Sequence, residues 1–249
     1  MSVYKISITK NQLEAIPENE RAFFLQSTVM INEINILFKT IYLNKAADQN
    51  EIEKKGLYLQ KLFFHQILIG KLWESYQSLR KFFYNGVSKT YRPIFSSDLE
   101  AVRIEIEKFF ESSWMKDIRD KISFHYDKNI ILEGYNNLQD DEAIDFYLCE
   151  EGQGNSLYYT ALSIRYERIL NHIMNKKGIK KGHYKEAVES LFGETEAITK
   201  TFIRFLEGCI QTFFVHNKIQ PVPQKVTEIT PLYSSSVNIP FFIKRGQQK

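Results

Sequence analysis

Residues 48–86, DQNEIEKKGLYLQKLFFHQILIGKLWESYQSLRKFFYNG, decide the fold class of this chain. Ile52, Leu59, Leu62, Phe63, Ile67, Trp73, Tyr76, Leu79 and Phe83 recur at the spacing of an amphipathic helix rather than alternating as in a strand. Asp48, with Glu51 three residues on, is the expected N-cap, and Gly86 is the expected end of the longest helix in the chain. The apolar run Leu62 to Ile69 is too short to span a bilayer. His65, inside that run, is expected in the core.

Working outward, Pro17 opens a turn ahead of a second helix, in which Phe24, Thr28, Ile31, Ile34, Phe38 and Ile41 step by three and four. Downstream, Gly86 to Ser96 reads as a connector containing Pro93, and Ser97 with Glu100 as a capping box for a helix carrying Leu99, Val102, Ile106 and Phe110. Further helix is expected from Ser113 into His125. Residues 133–151 hold seven acidic residues and no basic one, the composition of an exposed connector with one short helical piece. After a break at Gly152 to Asn155, helices are expected over Ser156 to Met174 and Tyr184 to Phe214. The expected architecture is all-α, a helical bundle over residues 1–216 with an extended, basic tail over 217–249. The tail holds four of the six prolines, and strand is expected only there or in the first ten residues.

Composition agrees with a folded helical chain. Hydrophobic residues make up 43% and charged residues 25%, so disorder cannot dominate, and 19 Phe and 14 Tyr against 11 Gly and 6 Pro favour long helices filled by large side chains. Of the net charge of +3, the tail contributes +4 (Lys218, Lys225, Lys244, Arg245 and Lys249 against Glu228), leaving −1 on the body and no global nucleic-acid footprint. Cys149 and Cys209 are far apart and have no CxxC partner, which argues against a disulfide framework or zinc ribbon. The N-terminal residues do not read as a signal peptide, so a cytoplasmic protein with no membrane segment is expected. Phosphate-loop, dinucleotide-fingerprint, HExxH and GxSxG motifs are absent.

One short segment carries chemistry. In Asp117-Ile118-Arg119-Asp120-Lys121-Ile122-Ser123-Phe124-His125-Tyr126-Asp127, five residues separate Arg119 from His125. An arginine is an always-charged fork for a phosphate, and a histidine exchanges a proton near neutral pH. Together they can cleave a phosphodiester, His125 taking the ribose 2′-hydroxyl proton while Arg119 stabilises charge on the phosphorus oxygens. The arrangement resembles the Arg-x(4 to 6)-His motif of the HEPN family (higher eukaryotes and prokaryotes nucleotide-binding), over about residues 24–129. Many members are helical-bundle RNases of toxin, antiphage and RNA-processing systems. The resemblance implies a metal-independent endoribonuclease needing no cofactor, with Arg119 and His125 catalytic and Asp120 orienting the arginine or the RNA. It also implies a homodimer facing two motif copies and a protein regulator. Asp120 stands where the family more often has Asn.

A plainer reading stays open beside it. Met115, Ile118, Ile122 and His125 fall on one helix face, which would make His125 a core residue, Arg119 a surface ion pair and the chain a non-catalytic protein–protein interaction module. Exposure separates the two, because a catalytic pair must line an open cleft. A second candidate is the basic loop, where Lys176, Lys177, Lys180 and Lys181 could hold RNA phosphates and Tyr184 could stack a base. Its alternative is a solvated loop. His172 and His183, which flank it, are expected to be solvated, and His216 suits a helix C-terminus.

Overall fold

The helical period carries through. A computed structural model of the chain describes residues 2–44, 50–120, 128–136, 138, 143–150, 156–220, 222–228 and 239–241. The described residues are 76% helical, so the all-α helical-bundle class holds, and the one small sheet among them cannot supply a core. The helices are α1 (Lys10–Glu14), α2 (Glu18–Leu43), α3 (Glu51–Leu79), α4 (Ser88–Tyr91), α5 (Ser97–Ser112), α6 (Met115–Ile118), α7 (Lys128–Asn136), α8 (Tyr159–Lys177) and α9 (Tyr184–His216). Strands β1 (Ser2–Lys5) and β2 (Gln224–Glu228) pair antiparallel, Ser2 opposite Glu228 and Lys5 opposite Gln224, with an irregularity between Val3 and Tyr4. Both strands lie where strand was expected. An isolated bridge between Tyr147 and Leu157 adds one residue pair elsewhere. Among the described residues no helix is long and apolar enough to cross a membrane.

Three local expectations need correction. Asn50 caps α3: its Oδ1 accepts from Glu53 N at 2.9 Å while Glu53 Oε2 accepts from Asn50 N at 3.1 Å. Asp48, the expected cap, lies outside the described residues. Ser96, not Ser97, caps α5, accepting from Leu99 N at 3.2 Å. With Ser96 as the cap, the third helical position is Leu99, so Glu100 is one residue out of register for a capping box and instead accepts from Arg92 Nη2 and Arg103 Nη2 at 2.8 Å each. Gly86 does not end the helix either. The backbone continues from α3 through a π-helical stretch, Arg80–Val87, into α4 and a 3-10 turn, Arg92–Ile94. Phe83, Val87 and Tyr91, at four-residue steps, are fully buried. Each such burial is worth roughly 1.5–3 kcal/mol, which outweighs the roughly 1 kcal/mol that a helical glycine costs. Followed through the π-helical stretch to Tyr91, this helical run is longer than the 33 residues of α9.

The chain divides into two compact units, and α2, α3 and α9 each contribute a segment to both. Unit 1 comprises Met1–Ile36, Lys71–Ser113 and Glu196–Tyr233. Its core is aromatic: Phe83 meets Phe23 at 5.6 Å and Phe205 at 5.3 Å, Tyr76 stacks on Phe110 at 4.3 Å, and Phe24 stacks on Phe213 at 4.3 Å. Gly208 lets Leu99 approach α9, since a Cβ there would lie 2.5 Å from Leu99 Cδ1. Unit 2 comprises Leu37–Gly70, Trp114–Thr195 and Ser234–Lys249. Its core is mainly aliphatic, with Leu59, Leu68, Ile69, Met115, Ile118 and Ile173 buried. His65 is buried as expected, its Nδ1 donating to the Lys61 carbonyl at 2.9 Å and its ring stacked on Phe192 at 3.8 Å. The tail packs on this unit at residues 239–241: Ile239 N donates to Leu43 O at 3.1 Å, and a Cβ on Gly56 would lie 2.7 Å from the Phe241 ring.

Candidate functional site

Helix α6, which leads into Arg119, is a single turn held by its apolar side. Met115 and Ile118 are wholly buried, and Trp114 Nε1 donates to Glu194 Oε2 at 3.0 Å. That anchoring sends Asp117 toward α8, where its Oδ2 lies 3.2 Å from His172 Nε2 and 3.8 Å from Lys176 Nζ. His172 is therefore half-buried against a carboxylate, which corrects the expectation that it is solvated. Arg119 caps α6 through its backbone N–H, and its side chain turns outward. Arg119 Nη1 donates to Asp120 Oδ1 at 2.9 Å, with the two side chains 39% and 37% exposed. His125 falls within residues 121–127, outside the described residues.

The basic loop is more structured than its composition implies. Gly178 ends α8 in the left-handed region at φ 66°, and Ile179 N donates to Met174 O at 2.9 Å, the bond of a glycine-terminated helix end. Lys176 and Lys177 consequently belong to the last turn of α8 and meet carboxylates, Lys176 on Asp117 and Lys177 on Glu194. Lys180 is exposed between Gly178 and Gly182. His183 is exposed as expected, 3.6 Å from Glu186.

Lys181 and Tyr184 come together at a cavity of about 660 Å³. Its floor is Leu59 and Leu62 from α3 and Leu170 from α8, all buried. Tyr58, Tyr159, Tyr166 and Tyr184 supply aromatic walls, and Glu167 with Asn171 supplies the polar side. Tyr184 Oη donates to Glu167 Oε1 at 2.6 Å, and this bond, with burial, pushes the Tyr184 phenol up to about 12. Burial and the neighbouring Tyr159 raise Tyr58 as well. Both phenols therefore stay neutral donors across physiological pH. Lys55 lies 4.8 Å from the Tyr159 ring centre but is held by Tyr147 Oη at 2.8 Å and by Asp145 at 3.7 Å.

Sequence reading named Lys181 and Tyr184 and missed the rest of this cavity. A signal was present: Tyr159, Ser163, Tyr166 and Leu170 follow the three- and four-residue steps of one helix face. Tyr58 and Leu59 come from α3, a hundred residues earlier, and no local period links them to that face. Comparison with family models, with curated proteins and with solved structures finds no match for this chain, so the likeness to the HEPN family rests on Arg119 and His125, and the site is read from its own geometry.

Proposed function

We propose that the chain is a metal-independent endoribonuclease of a toxin, antiphage or stress system, with Arg119 as phosphate clamp, Asp120 as its orienting partner and His125 as acid and base. The observation that carries this reading is the surface pair Arg119–Asp120. A carboxylate 2.9 Å from a guanidinium fixes the fork while leaving it accessible to a phosphate. In the proposed reaction His125 takes the 2′-hydroxyl proton, the 2′-oxygen attacks phosphorus, and the 5′-oxygen leaves with a proton. Arg119 stabilises the charge that builds on the phosphoryl oxygens. A homodimer would present two such pairs to one RNA.

His125→Ala and Arg119→Ala tested on single-stranded and structured RNAs should each lose cleavage by roughly 10² to 10⁴ with melting nearly unchanged. EDTA should leave the wild-type rate as it is. If the wild type cleaves nothing and His125→Ala melts several degrees lower, the histidine is structural and the enzyme is lost. A non-catalytic interaction module is then the better reading, and one observation favours it. Phe146 and Leu148, on the acidic segment 143–150, are 58% and 74% exposed. Phe146 also lies 5.9 Å from the exposed ring of Tyr158, and exposed apolar side chains that cluster in this way favour a contact surface. Under that reading Leu148→Asp changes the sedimentation of the chain or of its complex, and under the ribonuclease reading it leaves cleavage intact.

A further inference from the structure

The unit 2 cavity has a chemistry of its own, independent of Arg119 and His125. Its volume of about 660 Å³ lies within the range of small-ligand sites, and it combines an apolar floor with few, convergent polar groups. Tyrosine rings favour a flat, polarisable body, and nucleobases stack on aromatic side chains whatever their sequence. The polar groups then choose among flat ligands. Among the described residues of the lining, Glu167 is the only carboxylate and Lys181 the only cation. A carboxylate accepts hydrogen bonds and never donates. Of the four RNA bases, guanine alone sets adjacent donors, N1–H and N2–H, on its pairing edge with no acceptor between them. Adenine and cytosine put a ring-nitrogen acceptor beside their amino group, and uracil flanks its N–H with carbonyls, so each would turn a lone pair toward the carboxylate. Tyr184 Oη, donating to Glu167 Oε1 at 2.6 Å, holds that carboxylate in place. Lys181 in the lining supplies a point charge for a phosphate.

We infer that this cavity takes a guanine nucleotide, with the base among Tyr58, Tyr159 and Tyr184, its N1–H and N2–H on Glu167, and its phosphate at Lys181. The nucleotide comes either free, as a mononucleotide, or as an unpaired guanosine in RNA, and the two sources share this chemistry.

Calorimetric titration of the full chain with GMP, AMP, CMP, UMP and guanosine tests the site without using cleavage. Two uridine oligonucleotides, one carrying a single central 2′-deoxyguanosine that blocks 2′-hydroxyl attack, distinguish the sources. GMP should bind about tenfold or more tightly than the other mononucleotides, the discrimination that a bidentate base contact provides. Glu167→Gln keeps the shape and the Tyr184 hydrogen bond but adds a donor, so it should abolish the guanine preference while the chain melts as the wild type does. Lys181→Ala should weaken GMP and leave guanosine unchanged. Should only the guanosine-bearing oligonucleotide bind, and lose its advantage in Glu167→Gln, the source is RNA and the inference stands. No binding by GMP or by the oligonucleotide, equal binding of all four mononucleotides, or a guanine preference that survives Glu167→Gln would overturn it. GMP binding with guanine preference in a wild-type chain that cleaves no RNA would leave this inference standing while the ribonuclease reading fails, and cleavage lost in Arg119→Ala by a chain that does not bind GMP would be the reverse.

Discussion

Two polar clusters of unit 1 and two of unit 2 sit in different settings. In unit 1 such groups are closed into networks. Glu20, 5% exposed, accepts from Tyr91 Oη at 3.2 Å and Asn217 Nδ2 at 3.1 Å and lies 3.6 Å from His216 Nε2. Arg103 is clasped between Glu100 and Glu107 on its own helix. Around these groups the aromatic rings interlock. In unit 2 the polar groups Glu167, Asn171 and Lys181 line a cavity instead, and Arg119 with Asp120 lies at the surface. Polar side chains that satisfy one another inside a packed core stabilise structure, whereas those facing an open volume remain available to a ligand. Glu100 and Glu107 also line cavities of unit 1, of about 530 and 460 Å³, but Arg103 already pairs with both, whereas Glu167 in unit 2 is held by a neutral phenol, and that difference is why the proposed ligand is placed in unit 2.

The comparison breaks most readily at Phe83, the hub of the unit 1 ring cluster. Phe83→Ala should cost about 3–5 kcal/mol, because a wholly buried ring among Phe23, Phe95 and Phe205 leaves a cavity its neighbours cannot fill. Each unit holds one tryptophan, Trp73 in unit 1 and Trp114 in unit 2, so urea unfolding of a Trp114→Phe background reports unit 1 alone. A loss under about 1 kcal/mol at Trp73 would show the ring cluster to be loosely packed and erase the contrast.

A smaller effect is expected at the closed polar network. Glu20→Ala leaves Tyr91 and Asn217 without their common acceptor and should destabilise by about 1–3 kcal/mol, while GMP titration should be unchanged. Tyr91→Phe, which removes only one donor, should cost less. Equal effects of these two changes would mean that the glutamate is not the centre of the network.

The smallest effect is a pH dependence. The Arg103 guanidinium, with help from Arg92, holds the Glu100 carboxyl below its ordinary 4.5. With the folded value below the unfolded one, this stabilisation is complete above about pH 4.5 and is lost as pH falls through the lowered folded value. Glu100→Gln should therefore lower stability slightly near neutrality and flatten the acid limb of a urea-midpoint profile run from about pH 6 to pH 2. An acid limb as steep as that of the wild type would assign the acid sensitivity to other carboxylates.

What the amino-acid order by itself determined is the helical class, the approximate spans of α2, α3, α8 and α9, the burial of His65 and the confinement of β1 and β2 to the two ends. These follow from the period of apolar residues and from a few caps and breakers, all acting within a turn or two of the chain. Only the tertiary structure decided that Phe83, Val87 and Tyr91 carry a helix past Gly86, that Ser96 rather than Ser97 caps α5 and leaves Glu100 to Arg92 and Arg103, and that Lys176 and Lys177 meet Asp117 and Glu194. The same holds for the joining of Tyr58 and Leu59 to the polar face of α8. Each of these depends on partners far away in sequence or on a choice between adjacent residues. A local period records which face of a helix is apolar, but not which distant side chain will meet it.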